Sequence, residues 1–355
     1  MNRPRLAIVT FDFWPDIGGV QNYLYEICSR LTSKFDIIVV TPVAGEAPDG
    51  VHKLIVPEPT VTHFFKMIRQ TKTDFLLIGH AHPQLLLAAK LSRLPYAALA
   101  YGNDFLAAQK AWHRPFFNRW LAQATPLITI SDANIHRLQS LGMARPELIY
   151  PGTDPSRFWP AEKPRSKSLN LLTVCRLVPR KGIDTTLKAL AIIRNTYPHL
   201  HYFIGGMGPD LPRLQQLVSQ LNLEDMVTFL GFVAEDQLPI TYQKADIFVM
   251  PTRERPSQGS IEGFGIVYLE ASATGLPVIA SPSGGAAEAV QDGKTGLLVP
   301  PNDPEALAKA LSKLLEDEAL RNEFGRNGRS WVETSMNWDR AGEQFLSVLA
   351  KWWSL

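Results

Sequence analysis

The chain has 355 residues, of which 45% are apolar and 20% charged, and a net charge of +2; the length suits two domains rather than one, each with apolar residues enough for its own core. Residues 1–160 carry 16 Lys and Arg against 12 Asp and Glu, the remainder 20 against 22. This basic excess is too small for a nucleic-acid footprint but is compatible with an anionic surface.

Cys28 and Cys175 are the only cysteines, far apart and without metal spacing, which excludes a disulfide framework and points to a reducing cytosol. Met1-Asn-Arg-Pro-Arg5 does not read as a secretory leader. No apolar run approaches the roughly 18 residues of a membrane span. A cytoplasmic protein, soluble or peripheral at the inner face of the membrane, is expected.

Short apolar strands alternate with helical patterns from the start. Strands are expected at Leu6–Thr10, Phe35–Val40, Asp74–Ile78, Tyr96–Ala100, Leu127–Ile130 and Glu147–Tyr150, with helices at Val20–Leu31, Gln84–Leu94 and Ser131–Leu141. This cadence predicts an α/β fold with a doubly wound parallel sheet, right-handed crossovers and a ligand edge at the carboxyl ends of the strands. At that edge of the first strand, Gly18-Gly19 opens a helix. Paired glycines there allow backbone N–H groups to approach an anion, although such a pair is more often only a turn. Asp12 and Gln21 are placed to hold acceptor hydroxyls.

Pro, Gly and charged residues cluster over about 151–168, the expected linker between a domain at 1–158 and another at 159–336. A second strand series then runs through Leu169–Val174, Leu200–Ile204, Val227–Leu230, Ile247–Met250, Val278–Ala280 and Leu297–Val299. The architecture implied is two doubly wound Rossmann-like domains facing across a cleft. An amphipathic helix within 337–355 is expected to pack back on the first domain.

The stretch Ser260-Ile-Glu-Gly-Phe-Gly-Ile-Val-Tyr-Leu-Glu270 carries the chemistry. Gly263 and Gly265 suit a tight turn that a ligand approaches closely. A helix follows, with Ile266, Val267, Leu269 and Ala273 as a buried stripe and Gly275 and Pro277 as stops. Its unpaired N–H groups and positive dipole end favour phosphate. Glu262 and Glu270 could accept hydroxyls on either side of that phosphate, the signature of a nucleotide sugar; a capped helix with two solvated glutamates is the competing explanation. Arg176 and Lys181, at the end of the second series' first strand, make a clamp for a diphosphate, while Arg180 reads as an ordinary surface cation. Gly205-Gly-Met-Gly208 lacks the third glycine of a dinucleotide fingerprint.

With Gly231-Phe-Val233 and Ser283-Gly-Gly-Ala-Ala-Glu288, these motifs resemble the retaining family-4 glycosyltransferases of the GT-B fold over essentially the whole chain. Within that family the chain is most similar to the phosphatidylinositol mannosyltransferases. The resemblance implies that Arg176 and Lys181 neutralise the leaving diphosphate and that Glu262 binds the donor sugar. It also implies that Ile266 and Val267 offer N–H groups to phosphate beside Gly263, Phe264 and Gly265, that Glu270 holds the ribose, and that Val233 meets the base through its backbone. Gly18 and Gly19 would face the donor, and Asp12, Gln21, Tyr101 and Asp104 the acceptor. The family's usual His-Gly-x-Asp is Tyr101-Gly102-Asn103-Asp104 here, with Tyr in place of a histidine that lies over the sugar.

No Asp-x-Asp pair occurs, so the cations take the place of a metal and no cofactor is expected. The implied donor is GDP-mannose and the acceptor lipid-linked or a saccharide. A UDP-sugar enzyme on the same scaffold and a non-catalytic nucleotide-sugar sensor are the rivals, with a two-domain dehydrogenase third. Two segments, His63–Lys72 and Lys110–Trp120, interleave cations with aromatics. Each suits either an anionic bilayer surface or a helix with its aromatics packed inward. His80 and His82 bracket a loop without a metal-like partner and read as loop or acceptor-cleft residues.

Overall fold

The computed structural model describes residues 3–16, 18–109, 114–161, 168–254 and 260–353. Ile17, Lys110, Trp112 and the linker residues 162–167 lie outside them. The chain divides into two compact units, Met1–Pro151 with Trp338–Leu355, and Gly152–Asn337.

The first unit holds β1 (Arg5–Val9), β2 (Asp36–Thr41), β3 (Val51–Ile55), β4 (Phe75–Ile78), β5 (Tyr96–Ala100), β6 (Leu127–Thr129) and β7 (Glu147–Leu148). All pair in parallel, in the order β3-β2-β1-β4-β5-β6-β7. The strands are apolar on successive residues because helices cover both faces. Ala7 and Val9 pack with Phe64, Ile68, Leu85 and Ala89, while Leu6 and Ile8, on the other side of the pleat, are equally buried. β3 was not evident in the sequence: Val-His-Lys-Leu-Ile is a half-exposed edge strand with no apolar run.

The second unit holds β8 (Asn170–Val174), β9 (His201–Gly205), β10 (Val227–Gly231), β11 (Ile247–Met250), β12 (Val278–Ala280) and β13 (Gly296–Leu298). They form a six-stranded parallel sheet, β10-β9-β8-β11-β12-β13. Leu171, Ile204, Val249 and Ile279 share a core with Leu187 and Leu190 of the helix Ile183–Ile193 and Leu311 of the helix Pro304–Glu316. The strand order reverses between β1 and β4 in one sheet and between β8 and β11 in the other. Each reversal parts the flanking crossovers and opens a crevice at the carboxyl ends.

Residues 152–158 belong to the second unit, where Thr153 N–H donates to Met336 O at 3.0 Å and Phe158 meets Tyr242 edge-on at 5.6 Å. The helix Trp338–Trp353 belongs to the first. Its Trp353 stacks on Phe75 with ring centroids 4.4 Å apart, and Asp339 pairs with Arg30 at 2.8 Å. Among the described residues no helix is long and apolar enough to cross a membrane.

Candidate active site

In the second unit the chain leaves β8 through Cys175 and an exposed Arg176, then makes a 3-10 turn at Pro179–Lys181. Gly182 closes that turn with φ +72°, and a Cβ there would lie 1.9 Å from Pro251 O. Only glycine lets the turn lie against the end of β11. Lys181 is thereby turned inward and buried, with Nζ 2.7 Å from Glu262 Oε2. Arg180 turns inward too: its Nε lies 3.7 Å from the same oxygen and, buried, makes no hydrogen bond. The sequence reading took Arg180 for a surface cation. Burial by itself would raise the Glu262 carboxyl, but Lys181 and Arg180 outweigh it and hold the group below its ordinary value.

Glu262 sits in the turn ahead of the helix Ile266–Ala273. Gly265 has φ +94°, and a Cβ there would strike the Tyr268 ring at 2.5 Å; Tyr268 in turn is anchored by its hydroxyl donating to Met250 O at 2.7 Å. Beneath, Gly285 N–H donates to Glu262 O at 3.1 Å, and a Cβ on Gly285 would fall 2.1 Å from Gly263 O. The turn is thus rigidly seated. The first bond of the helix runs from Tyr268 N–H to Gly265 O, so the N–H groups of Ile266 and Val267 precede the helical ladder, at the positive end of the dipole. Phe264 is buried and Gly263 half-buried.

The expected one-sided stripe is not what folds. Ile266 and Val267 are half-buried, and every residue from Tyr268 to Ala273 is buried, because the helix lies against the small residues of the helix Glu318–Thr334. Gly325 and Gly328 there approach Gly275 O and Ser272 too closely for larger side chains to fit without displacement. Glu270 is therefore buried, accepting a hydrogen bond from Tyr242 Oη at 2.7 Å. Burial pushes its pKa up to about 7, the Tyr242 bond offsetting part of the rise.

Val233 lies beyond β10, where its side chain would crowd any Cβ on Gly205 at 2.9 Å. The remaining glycines of the Gly205–Gly208 run pack against Cys175 O and Leu177 O at distances no side chain permits, a steric rather than a ligand-binding reason for the motif. Sequence reasoning missed Arg253. Its Nη2 reaches both oxygens of Asp184 at 2.8 and 2.9 Å, its Nη1 donates to Asn302 at 2.7 Å, and its N–H donates to Arg180 O at 2.8 Å. Arg213 adds a second cation to Asp184 at 3.2 Å. This network ties the loop after β11 to the Arg180 turn, and no local spacing announces residues so distant in sequence.

The first unit places a separate cluster at the carboxyl ends of β1 and β4. Gln21 Nε2 donates to Asp12 Oδ1 at 3.4 Å, and His80 Nδ1 lies 3.2 Å from Thr10 Oγ1. Gly18 faces Gln21, and Gly19 has open space where a side chain would start. Asp104 is half-buried and accepts N–H groups from Ala81, Tyr101 and Gly102 at 2.8–3.1 Å, so it braces two loops. Tyr101 is buried edge-on to Tyr23 at 5.6 Å, with a hydroxyl that no described residue engages. In the helix Val61–Thr71, Phe64, Met67 and Ile68 point inward while Lys66 and Arg69 are exposed. In the helix Arg114–Leu121, Phe117 and Leu121 are buried but Phe116 is exposed between Arg114 and Arg119.

Residues 157–331 match the family model of the glycosyl transferases group 1. The chain is 34% identical to the GDP-mannose-dependent alpha-(1-6)-phosphatidylinositol monomannoside mannosyltransferase of Mycobacterium tuberculosis, over 97% of this chain and 98% of that protein. It is 32% identical, with the same coverage, to the protein of that description from Mycolicibacterium smegmatis. Among solved structures, sucrose-phosphate synthase from Thermosynechococcus elongatus superposes with a TM-score of 0.85 at 24% identity, covering 99% and 100% of the two chains. Anabaena HepE in complex with UDP and glucose gives 0.79 at 20% identity, covering 97% and 99%. The superpositions show the fold, GT-B. Together with the sequence identity over nearly its whole length, they establish that the chain belongs to the group 1 glycosyl transferases.

Proposed function

We propose that the chain transfers mannose from GDP-mannose, with retention of configuration, to an acceptor of the phosphatidylinositol glycolipid class. The observation that carries this reading is the buried Glu262–Lys181 pair at the mouth of a helix whose first N–H groups have no partner among the described residues. Relatives 34% and 32% identical are described as GDP-mannose-dependent and as acting on a phosphatidylinositol mannoside, which supports both donor and acceptor class.

In this reading the pyrophosphate lies on the N–H groups of Ile266 and Val267, with Arg176 and Lys181 against its charge. Glu262 takes hydroxyls of the mannose and Glu270 those of the ribose. The bond between the anomeric carbon and the β-phosphate oxygen breaks as the acceptor oxygen bonds to that carbon on the same face. The acceptor's proton passes to the departing phosphate oxygen, and GDP leaves. Charge grows on the phosphate in the transition state, so preorganised cations there supply the largest catalytic contribution. The exposed Phe116, between Arg114 and Arg119, rests on the anionic bilayer that carries the acceptor.

The test is Glu262→Gln, which keeps the side chain's size and removes its charge. Transfer is expected to drop on the order of 10²–10³-fold, while the protein stays folded by circular dichroism with a melt lowered by the roughly 3–5 kcal/mol of leaving Lys181 buried without its partner; wild-type turnover in that variant overturns the assignment. A UDP-sugar is the competing donor, favoured by the likeness to a UDP-bound structure. Calorimetry with GDP and UDP in parallel separates the two, and binding of neither sinks both.

A further inference from the structure

His80 stands between β4 and the helix Pro83–Ser92, at the carboxyl edge of the first sheet. Its side chain is only 10% exposed. Phe11 packs on the ring at 5.7 Å, and the next residue, Ala81, is fastened by its N–H to Asp104 Oδ2 at 3.0 Å. The imidazole is therefore held in one orientation.

The tautomer is assigned from its hydrogen-bond partners. Thr10 has a single hydroxyl proton, directed at Asp12 O at 2.9 Å, and its oxygen also accepts Asp12 N–H at 3.1 Å. The lone pair left on Thr10 Oγ1 faces His80 Nδ1 at 3.2 Å, so Nδ1 carries the hydrogen. Asp12 Oδ2, 3.8 Å from the same nitrogen, favours that choice. Burial lowers the basicity of the ring, with Asp104 and Asp12 opposing in part. The ring is then neutral at pH 7 and Nε2 bears a lone pair. Among the described residues nothing donates to Nε2, and that atom is not one of the sealed polar atoms that lack a partner, so it keeps access to solvent. His82, two residues on, differs: its Nδ1 is used as a helix cap, accepting Gln84 N–H at 3.3 Å.

The edge thus offers two hydrogen-bond acceptors, Nε2 of His80 and the half-exposed carboxylate of Asp12, which Gln21 engages through one oxygen. A phosphate or carboxylate would be repelled there, whereas neighbouring hydroxyls satisfy both. We propose that His80 Nε2 and Asp12 together bind adjacent hydroxyls of a polyhydroxylated acceptor, and that His80 is a specificity-determining contact for it. This rests on the glycosyltransferase reading above.

The test uses the full chain, GDP-mannose and octyl α-mannoside. His80→Asn keeps a donor toward Thr10 and deletes the Nε2 acceptor; His80→Gln puts an amide oxygen near the Nε2 position. The Asn variant should raise the KM for the mannoside about tenfold, the loss of one hydrogen bond, with donor KM and GDP affinity within about twofold of wild type. The Gln variant should recover most of the loss. An unchanged mannoside KM in the Asn variant overturns the proposal. Should that variant fail to fold, ¹⁵N-histidine NMR of the wild-type protein decides: an unprotonated Nε2 that shifts on saturation with the mannoside supports the site, and a protonated or unresponsive Nε2 refutes it. If wild-type protein binds neither GDP nor UDP, the transferase reading fails instead, while the NMR titration still judges the hydroxyl site.

Discussion

Glu262, ahead of the helix Ile266–Ala273, and Glu270, within it, are both buried, yet their electrostatics are opposite. Glu262 has two cations beside it and is held ionised; Glu270 is raised to about 7 by burial, which the Tyr242 hydroxyl offsets only in part while the charges of Glu235 and Arg157 oppose each other. A carboxyl raised from 4.5 to about 7 favours the folded state most below 4.5, and that contribution is lost as pH climbs through about 7. The ionised form is the stronger acceptor for ribose hydroxyls, so affinity should move the other way. Calorimetric GDP affinity is expected to rise through about pH 7 in the wild type and to change less in Glu270→Gln. The thermal stability of the wild type should fall over the same range more than that of the variant; parallel pH profiles would refute this assignment. At this scale the sequence displayed the pair of glutamates and the glycines between them, since their spacing is local. It hid the inward turn of Arg180, the Arg253 network and the His80 tautomer, because each depends on partners scores of residues away.

Among the elements, the strands were the most readable. Both parallel sheets are buried on two faces, so their strands register as continuous apolar runs; β5, β11 and β12 coincide with the expected limits. The edge strand β3 and the all-round burial of the helix Ile266–Ala273 escaped for the converse reason: what covers them, or fails to, lies elsewhere in the chain. The helix Arg114–Leu121 divides its side chains between the core and solvent. Phe117 and Leu121 enter the core, and Phe116 stays 54% exposed. Inserting a phenylalanine into a bilayer is worth about 1.5–3 kcal/mol, and each flanking Arg adds about 1 kcal/mol at an anionic surface. Phe116→Ala combined with Arg114→Gln should cut binding to phosphatidylglycerol vesicles at least tenfold in a sedimentation assay. Undiminished binding would remove this helix from the proposed membrane contact.

Considered whole, the molecule owes its α/β class, two-sheet build and family to features that were legible, because alternation and motif spacing extend over its full length. The membership of the helix Trp338–Trp353 is a matter of packing. It buries Trp338, Phe345, Leu349 and Trp353 within the first unit, and Gly342 lies so near Arg30 that a Cβ would come within 2.8 Å. Phe345→Ala should destabilise that unit by about 3–5 kcal/mol. Hydrogen exchange should then quicken in β1 and in the helix Gly19–Leu31 while β8–β13 remain protected. Equal acceleration in both units would contradict the division.

That helix is translated only after all of Gly152–Asn337. On the ribosome the amino-terminal sheet must wait, one flank bare, while the later-made unit is already whole, reversing the usual order in which domains mature during synthesis. A nascent chain stalled shortly before Trp338 would therefore present apolar surface to chaperones from its oldest part and not from its newest.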